Sequence, residues 1–486
     1  MARKLTGIQP EAVWQYFEEL SANPRPSKKE GKVTAWLVNW AKEHKFEVEQ
    51  DKCGNVVIRK PATPGMENKK PIIIQGHIDM VCEKETDIEF DFDNEGIRPY
   101  IDGDYVTAEG TTLGADDGIA IAMGMALLTS TDIPHPAMEL LATLDEETGL
   151  TGATHLDTKI LKGDILINLD SEVEGTFTIG CAGGINTEAS FAYKAEAFPK
   201  DHTAYKISMK GFRGGHSGIE IIDGRANATK VLNRIIYKLT EDLDIRLSHI
   251  EGGSKHNAIP RDGYAIIAVP NAKIKEFEKI MAEFIATIKN EWESKEPNII
   301  IATEKVAAPN RVMAKEMHHN MIKAFYACPH GVLRMSPDVP GLVQSSTNFA
   351  IVETHENEVY VLTNQRSSVE SEKTNIVNKV KTTLELGGAK VVTSEGYPAW
   401  QPNIHSPILQ TAANVYEKLF GNKAKIEIIH AGLECGLIGE KYPHMDMLSF
   451  GPTLVDVHSP SEKCHIPTTI KCYQLLQEIL KNIPNK

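Results

Sequence analysis

Apolar positions in the first stretch of the chain come as short runs set between helical patterns. Pro71-Ile72-Ile73-Ile74 carries an unbroken β-branched run, the mark of a strand buried on both faces of a parallel sheet. Residues 138–144 and 164–169 read as two further strands. Residues 115–128, rich in Ala, Gly and Met, read as a helix, and Pro10-Glu11-Ala12-Val13-Trp14 opens an amphipathic one with Pro at an early position. Strands alternating with helices predict an α/β domain built on a mixed, mostly parallel sheet with helices on both faces.

From about residue 185 the texture changes. Residues 205–209 alternate like a half-exposed strand, and 226–239 has helical spacing at Val231, Leu232, Ile235, Ile236 and Leu239. Strand-like runs follow at 245–250 and 264–269, then a helix at 274–288. A similar series recurs: a strand at 299–306, a helix at 317–327, strands at 341–352 and 359–363, and a helix at 369–386. The recurrence is in pattern and not in sequence, so this segment reads as an inserted α+β domain with two related halves. After Tyr397-Pro398-Ala399-Trp400 the first texture returns, with a helix at 406–419, a buried strand at 446–450 and a terminal helix at 475–483. The expected organisation is one α/β domain over 1–184 and 399–486, interrupted by a second domain over 185–398.

A chain of 486 residues suits two or three structural units. The net charge of −14, with Lys and Arg scattered and outnumbered, supplies no basic patch for nucleic acid and disfavours anionic membranes. No apolar run approaches the roughly eighteen residues of a membrane span. The start, Met-Ala-Arg-Lys-Leu-Thr-Gly, lacks the apolar run of a secretory signal. The seven cysteines are odd in number and form no C-x-x-C pair, which suits reduced thiols in the cytoplasm.

The chemistry lies just past the strands. The first run leads to His77-Ile78-Asp79, the second to Asp145-Glu146-Glu147, the third to Asp170, and the late strand leads through a loop to His458. Asp116 precedes the Ala-rich helix. Each signal is weak alone: a His-x-Asp pair is common, Glu146-Glu147 could be a solvated turn, and Asp116-Asp117 could cap a helix. Together they follow one rule, because ligands of open α/β sheets bind beyond the carboxyl ends of the strands. Two His and three carboxylates can hold two divalent ions if one carboxylate bridges. Imidazole with carboxylate suits zinc, with manganese or cobalt as substitutes. Paired metals activate a water in aminopeptidase-type hydrolases, and a free carboxylate can take its proton.

Gly76-His77-Ile78-Asp79, Gly114-Ala115-Asp116-Asp117-Gly118, Glu146-Glu147-Thr148-Gly149 and Gly214-Gly215-His216-Ser217-Gly218 resemble the aminoacylase and glutamate-carboxypeptidase superfamily of metallopeptidases. Cys181-Ala182-Gly183-Gly184, Asn257-Ala258-Ile259-Pro260, Tyr397-Pro398-Ala399-Trp400 and His430-Ala431-Gly432-Leu433-Glu434-Cys435-Gly436 narrow the resemblance to its bacterial aminoacyl-histidine dipeptidase family. The resemblance implies a dimetal peptidase domain with a lid and dimerisation domain inserted in it. His77 and Asp170 would bind one metal, Glu147 and His458 the other, and Asp116 both. Asp79 would orient His77, Glu146 would be the general base, and His216 would steady the carbonyl oxygen. Asn257 and Arg366 would contact the substrate's terminal carboxylate, and Glu434 its free amine. The implied protein is a cytoplasmic homodimer acting on small peptides, its domains hinged near Gly183-Gly184 and Tyr397-Pro398. Asp117 departs from the Asn also expected after the bridging Asp in close relatives. A deacylase or carboxypeptidase of the same superfamily, accepting N-blocked substrates, is the alternative enzyme; a non-catalytic binding protein would have lost a ligand or Glu146. The remaining histidines, such as His202 and His318-His319, read as surface residues.

Overall fold

The computed structural model describes residues 4–337 and 339–486. The chain divides into two compact units. One comprises Met1–Cys181, Pro402–Ile428 and Leu433–Lys486, and the other Ala182–Gln401 with Ile429–Gly432.

The first unit is built on an eight-stranded sheet in the order Glu47–Gln50, Val56–Lys60, Met138–Thr143, Ile72–His77, Ile165–Asn168, Asp446–Ser449, Thr176–Cys181, Lys425–Ile429. The central four strands run parallel, and antiparallel neighbours flank them. The central strands are buried almost throughout, as their unbroken apolar runs require. The helix Ala115–Thr129 is buried from Ala115 to Leu128, so its small apolar residues face protein on every side. The last helix, Ile466–Lys481, starts well ahead of the expected residue 475. Its first turns bury Thr468, Thr469 and Cys472, which carry too little apolar signal to read as a core face. The helix Gly31–Glu43 and the hairpin Pro99–Asp102 with Tyr105–Ala108 were not expected.

The second unit shows what the recurring pattern means. One half supplies His202–Lys210, helix Ala228–Leu243, Arg246–Gly252, Gly263–Pro270, helix Ile274–Trp292 and Ile300–Lys305. Its strands lie in the order Ile300–Lys305, His202–Lys210, Gly263–Pro270, Arg246–Gly252, or fourth, first, third, second. The other half takes Gly183–Ala192, helix Lys315–Ala327, Val343–Thr354, Glu358–Ser367, helix Glu370–Leu386 and Lys390–Thr393. Its strands repeat that order, and all pairings in both halves are antiparallel. The halves meet where Arg246–Gly252 pairs with Val343–Thr354, giving one continuous sheet. The first half is thus inserted after the first strand of the second. A single core joins them, including Leu232, Ile235, Phe277, Met321, Phe325 and Val380.

His318 corrects the surface reading. It is fully buried, with Nε2 3.1 Å from Thr240 Oγ1. It shares a helix face with Met321, Ile322 and Phe325, at the helical spacing that faces a core. Among the described residues no helix is long and apolar enough to cross a membrane.

Candidate metal centre

Four parallel strands end side by side, and the chain beyond each delivers a donor. His77 closes the strand Ile72–His77. Past Met138–Thr143, Asp145 takes a positive φ of 48°, turning the chain into Glu146 and Glu147. Asp170 lies two residues beyond Ile165–Asn168. His458 follows Asp446–Ser449 through a loop, and Asp116 stands at the start of the buried helix.

The structure gathers these donors into one cluster around Asp116. Its Oδ1 lies 3.1 Å from His77 Nε2, and its Oδ2 lies 3.1 Å from His458 Nε2. Asp170 Oδ1 stands 3.5 Å from the same His77 nitrogen, and Glu147 Oε2 3.0 Å from His458 Nε2. Two donor groups result, His77 with Asp116 and Asp170, and Asp116 with Glu147 and His458, sharing the one aspartate. Glu146 joins His77 and Glu147 in a third overlapping group. Asp79 stands behind them. Its Oδ1 is 3.3 Å from His77 Nδ1, off the line of a good hydrogen bond, and accepts the Glu146 N–H at 3.1 Å. Its Oδ2 accepts the Ser27 hydroxyl at 2.8 Å and the Glu147 N–H at 3.3 Å.

The cluster holds more carboxyl groups than two imidazoles can balance. Burial pushes Glu146 and Asp117 well above the usual carboxylate range and Asp170 up to about 7. Burial opposes ionisation of Asp116 as well, but His458 and His77 outweigh it and hold that carboxyl well down. Hydrogen bonds to Asp116 and Glu147 raise the half-exposed His458 to about 11. Divalent cations would supply the missing positive charge, and imidazole with carboxylate is a donor set that suits them. The residues present therefore fit two cations bridged by Asp116.

Glu434 also belongs to this unit. It is fully buried; Oε2 accepts from Gln75 Nε2 at 2.6 Å and Thr143 Oγ1 at 2.7 Å, while Oε1 has no hydrogen-bond partner among the described residues. Burial pushes its carboxyl up to about 7. Gln75 Oε1 in turn accepts from Asn168 Nδ2 at 2.7 Å, and Asn168 Oδ1 accepts from Ser449 Oγ at 2.5 Å. A buried polar row thus crosses the parallel strands close behind the donors.

The other expected residues lie in the second unit. His216 pairs with Ala258 in a short two-stranded antiparallel ladder, and its Nδ1 accepts the N–H groups of Gly218 at 3.2 Å and Ile219 at 3.1 Å. A ring nitrogen that accepts carries no proton, so the neutral ring holds it on Nε2 as a donor. Burial and the Arg366 charge push the His216 pKa down, which favours that neutral form. A Cβ on Gly218 would stand 2.9 Å from Arg366 Nη1 and 3.0 Å from His216 Cε1, so both side chains flank this glycine. Arg366 is buried, its Nε donating to Asn364 Oδ1 at 2.9 Å. Asn257 lines a cavity of about 620 Å³ together with His216, Phe212 and Arg261.

Two residues beside the donors had no sequence signal. Arg25 and Glu462 are both buried and bind backbone groups of the donor-bearing loops.

Comparison with known proteins places this geometry. Residues 207–296, most of the first half of the second unit, match the family model described as peptidase dimerisation domain. The crystal structure of aminoacylhistidine dipeptidase from Vibrio alginolyticus superposes with a TM-score of 0.95 at 43% identity, covering 99% of this chain and 98% of that one. The crystal structure of an aminopeptidase from Bacillus cereus shares the fold at 17% identity and a TM-score of 0.57, covering 98% of this chain and 99% of that one. The cytosol non-specific dipeptidase of Escherichia coli (strain K12) is 41% identical over 99% of this chain and 100% of its own length. With identity of that order from end to end, the chain belongs to the cytosol non-specific dipeptidase family of M20 metallopeptidases.

Proposed function

We infer that this chain is a metal-dependent dipeptidase acting on unblocked dipeptides, those with C-terminal His such as β-alanyl-histidine among them. The observation that carries this is Asp116, whose two oxygens face His77 and His458 separately within two overlapping donor groups. The names of the relatives, a non-specific and an aminoacyl-histidine dipeptidase, support the substrate class. His77, Asp116 and Asp170 would hold one cation and Asp116, Glu147 and His458 the other, with zinc the proposed metal. Bound there, the cations would lower the pKa of a water and polarise the scissile carbonyl.

The remaining steps fall to side chains. Asp79 faces the His77 ring, which it would orient, and holds the turn carrying both glutamates through the Glu146 and Glu147 N–H groups. Glu146 takes the water's proton and passes it to the leaving amine. His216, a neutral Nε2–H donor, suits the oxyanion role assigned by its motif. Arg366 and Asn257 recognise the terminal carboxylate, a group that a planar guanidinium fits. Glu434 Oε1 is the oxygen left to receive the terminal ammonium. The match to a peptidase dimerisation domain supports a homodimer, and the relative's description as a cytosol enzyme supports a cytoplasmic one.

The test is a rate comparison across matched free, N-acetylated and C-amidated dipeptides, before and after chelation. Free dipeptides should turn over rapidly, blocked ones little, and chelated protein not until zinc, manganese or cobalt is restored. Equal kcat/KM for free and N-acetyl forms would promote the deacylase alternative. Unchanged discrimination in Glu434→Gln would place the amine elsewhere.

A further inference from the structure

Two buried charged side chains outside the donor set grip the backbone that carries it. Glu462 is 2% exposed and lies four residues past His458. Its Oε2 accepts the N–H groups of Leu113 at 2.8 Å and Gly114 at 2.9 Å. Its Oε1 accepts those of Ala115 at 2.7 Å and Asp116, more weakly, at 3.4 Å. One carboxylate thus gathers four successive amides leading into Asp116, and so fixes the loop of one donor, Asp116, to the segment of another, His458.

Arg25 is 1% exposed and works on the carbonyls. Its Nη1 donates to the oxygens of Ile78 at 3.1 Å and Asp79 at 3.2 Å, and its Nη2 to that of Gly114 at 2.5 Å. The His77 loop and the Asp116 loop are therefore held by one planar cation. Gly114 is bound from both sides, its N–H by Glu462 and its carbonyl by Arg25. A Cβ on Gly114 would lie 2.5 Å from Arg25 Nη2, and one on Gly118 2.6 Å from the same atom. Both glycines of Gly114-Ala115-Asp116-Asp117-Gly118 thus leave room for the guanidinium.

A buried charge is costly unless its hydrogen-bonding capacity is used; apart from Arg25 Nε, which has no partner among the described residues, that capacity is spent here on the spacing of three donor loops rather than on a core. We propose that Arg25 and Glu462 are positioning residues of the metal centre: together they set the Asp116 carboxylate between His77 and His458, so that one aspartate can serve two cations. The proposal rests on the dimetal reading of the site.

Glu462→Gln is the first variant. Its amide oxygen can replace one carboxylate oxygen, but its NH2 group faces backbone donors on the other side. Arg25→Lys is the second; it keeps the charge but cannot reach three carbonyls with a planar fork. The readouts are stepwise Mn²⁺ and Zn²⁺ affinity by titration calorimetry, the visible spectrum of the Co²⁺-substituted protein, kcat and KM separately, and the melting temperature of chelated protein. Wild type should bind two equivalents. Both variants should lose roughly 10–100-fold in cation affinity, the range seen when groups supporting metal ligands are removed. The Co²⁺ spectrum should change and kcat should fall at saturating metal, while KM stays within about twofold. A wild type that binds no cation would defeat the dimetal reading itself. A wild type with two sites, and variants with unchanged affinity and Co²⁺ spectrum whatever their melting temperature, would overturn the positioning role alone. Should neither variant fold even in excess Mn²⁺, the pair is a folding element and the proposal also fails.

Discussion

Replacing Asp79 with Asn removes a charge and one acceptor from a place where every acceptor is used. In the native arrangement Oδ1 takes the Glu146 N–H and faces His77 Nδ1, and Oδ2 takes the Glu147 N–H and the Ser27 hydroxyl. The Asn amide keeps one oxygen. With NH2 in place of Oδ2, the Ser27 hydroxyl can rotate to accept, but the Glu147 N–H is left facing a donor. With NH2 in place of Oδ1, the Glu146 N–H is stranded instead. Either way the turn carrying both glutamates loses one acceptor, at about 1–3 kcal/mol for an unsatisfied buried donor. The other backbone bond drops from charge-assisted to neutral, losing about 1 kcal/mol more. A total of about 2–4 kcal/mol corresponds to roughly 30–900-fold in an equilibrium or rate constant. Because the turn and the His77 ring share this support, the loss should appear in cation affinity and kcat together. Calorimetric titration with Zn²⁺ and steady-state kinetics on a free dipeptide, alongside circular dichroism for the fold, would measure it. A folded Asp79→Asn protein within threefold of wild type in both quantities would refute the assignment of Asp79 as the support of the centre.

Glu146→Gln should retain two cations by elemental analysis but lose roughly 10²–10⁴-fold in kcat, the scale of general-base loss, whereas Glu147→Gln should lose cation occupancy as well. His216→Ala should lower kcat by roughly 10²–10³-fold with cation content intact and KM little changed, as for a donor to a developing oxyanion; normal turnover would remove that role. Acid should loosen the second unit. Burial pushes His318 and His430 down to about 3, so the unfolded chain takes up their protons first as pH falls through about 6.5. Their contribution is complete above that pH and erodes below it, on the order of 2 kcal/mol for each at about pH 5. Hydrogen exchange of peptides from helix Lys315–Ala327 at pH 7.5 and 5, corrected for the intrinsic rate, should show this loss, and equal protection would contradict it.

The first unit was legible because its signals are local. A run such as Ile72-Ile73-Ile74 declares a buried strand by itself, and the residues after it fall at the strand's carboxyl end by geometry. The second unit was legible as a pattern but not as a topology. Its two halves share a strand order that depends on antiparallel pairings between distant segments, such as Gly183–Ala192 with Glu358–Ser367. Gly183–Ala192 was hidden further by its Gly183-Gly184 start and its polar residues Asn186 and Glu188, so the texture change was set inside a strand that belongs to the later half. His318 misled for another reason. Lys315, Glu316 and Asn320 surround it in sequence, yet the helix turns it onto the face of Met321 and Phe325.

The same division explains which parts of the centre could be read. Donor side chains are restricted by metal chemistry to His and carboxylates, so four of them after strands and a fifth at a helix start make a pattern that composition alone rarely produces. Groups that support donors obey no such restriction when they act on the main chain. Glu462 binds four amides, and every non-proline residue offers an amide, so its partners leave no trace in the residue types of 113–116. Arg25 binds carbonyls, which are equally universal, but its guanidinium must lie flat against the chain that it grips. That excludes a Cβ at two positions four residues apart, where Gly114 and Gly118 stand, and Gly114 also needs glycine for its φ of 68°. Gly118, which has no positive φ to require glycine, therefore reports a buried partner rather than flexibility. Gly118→Ala tests this for the present chain: a methyl in contact with Arg25 should weaken cation binding as Arg25→Lys does, although no donor or hydrogen-bonding atom has been removed.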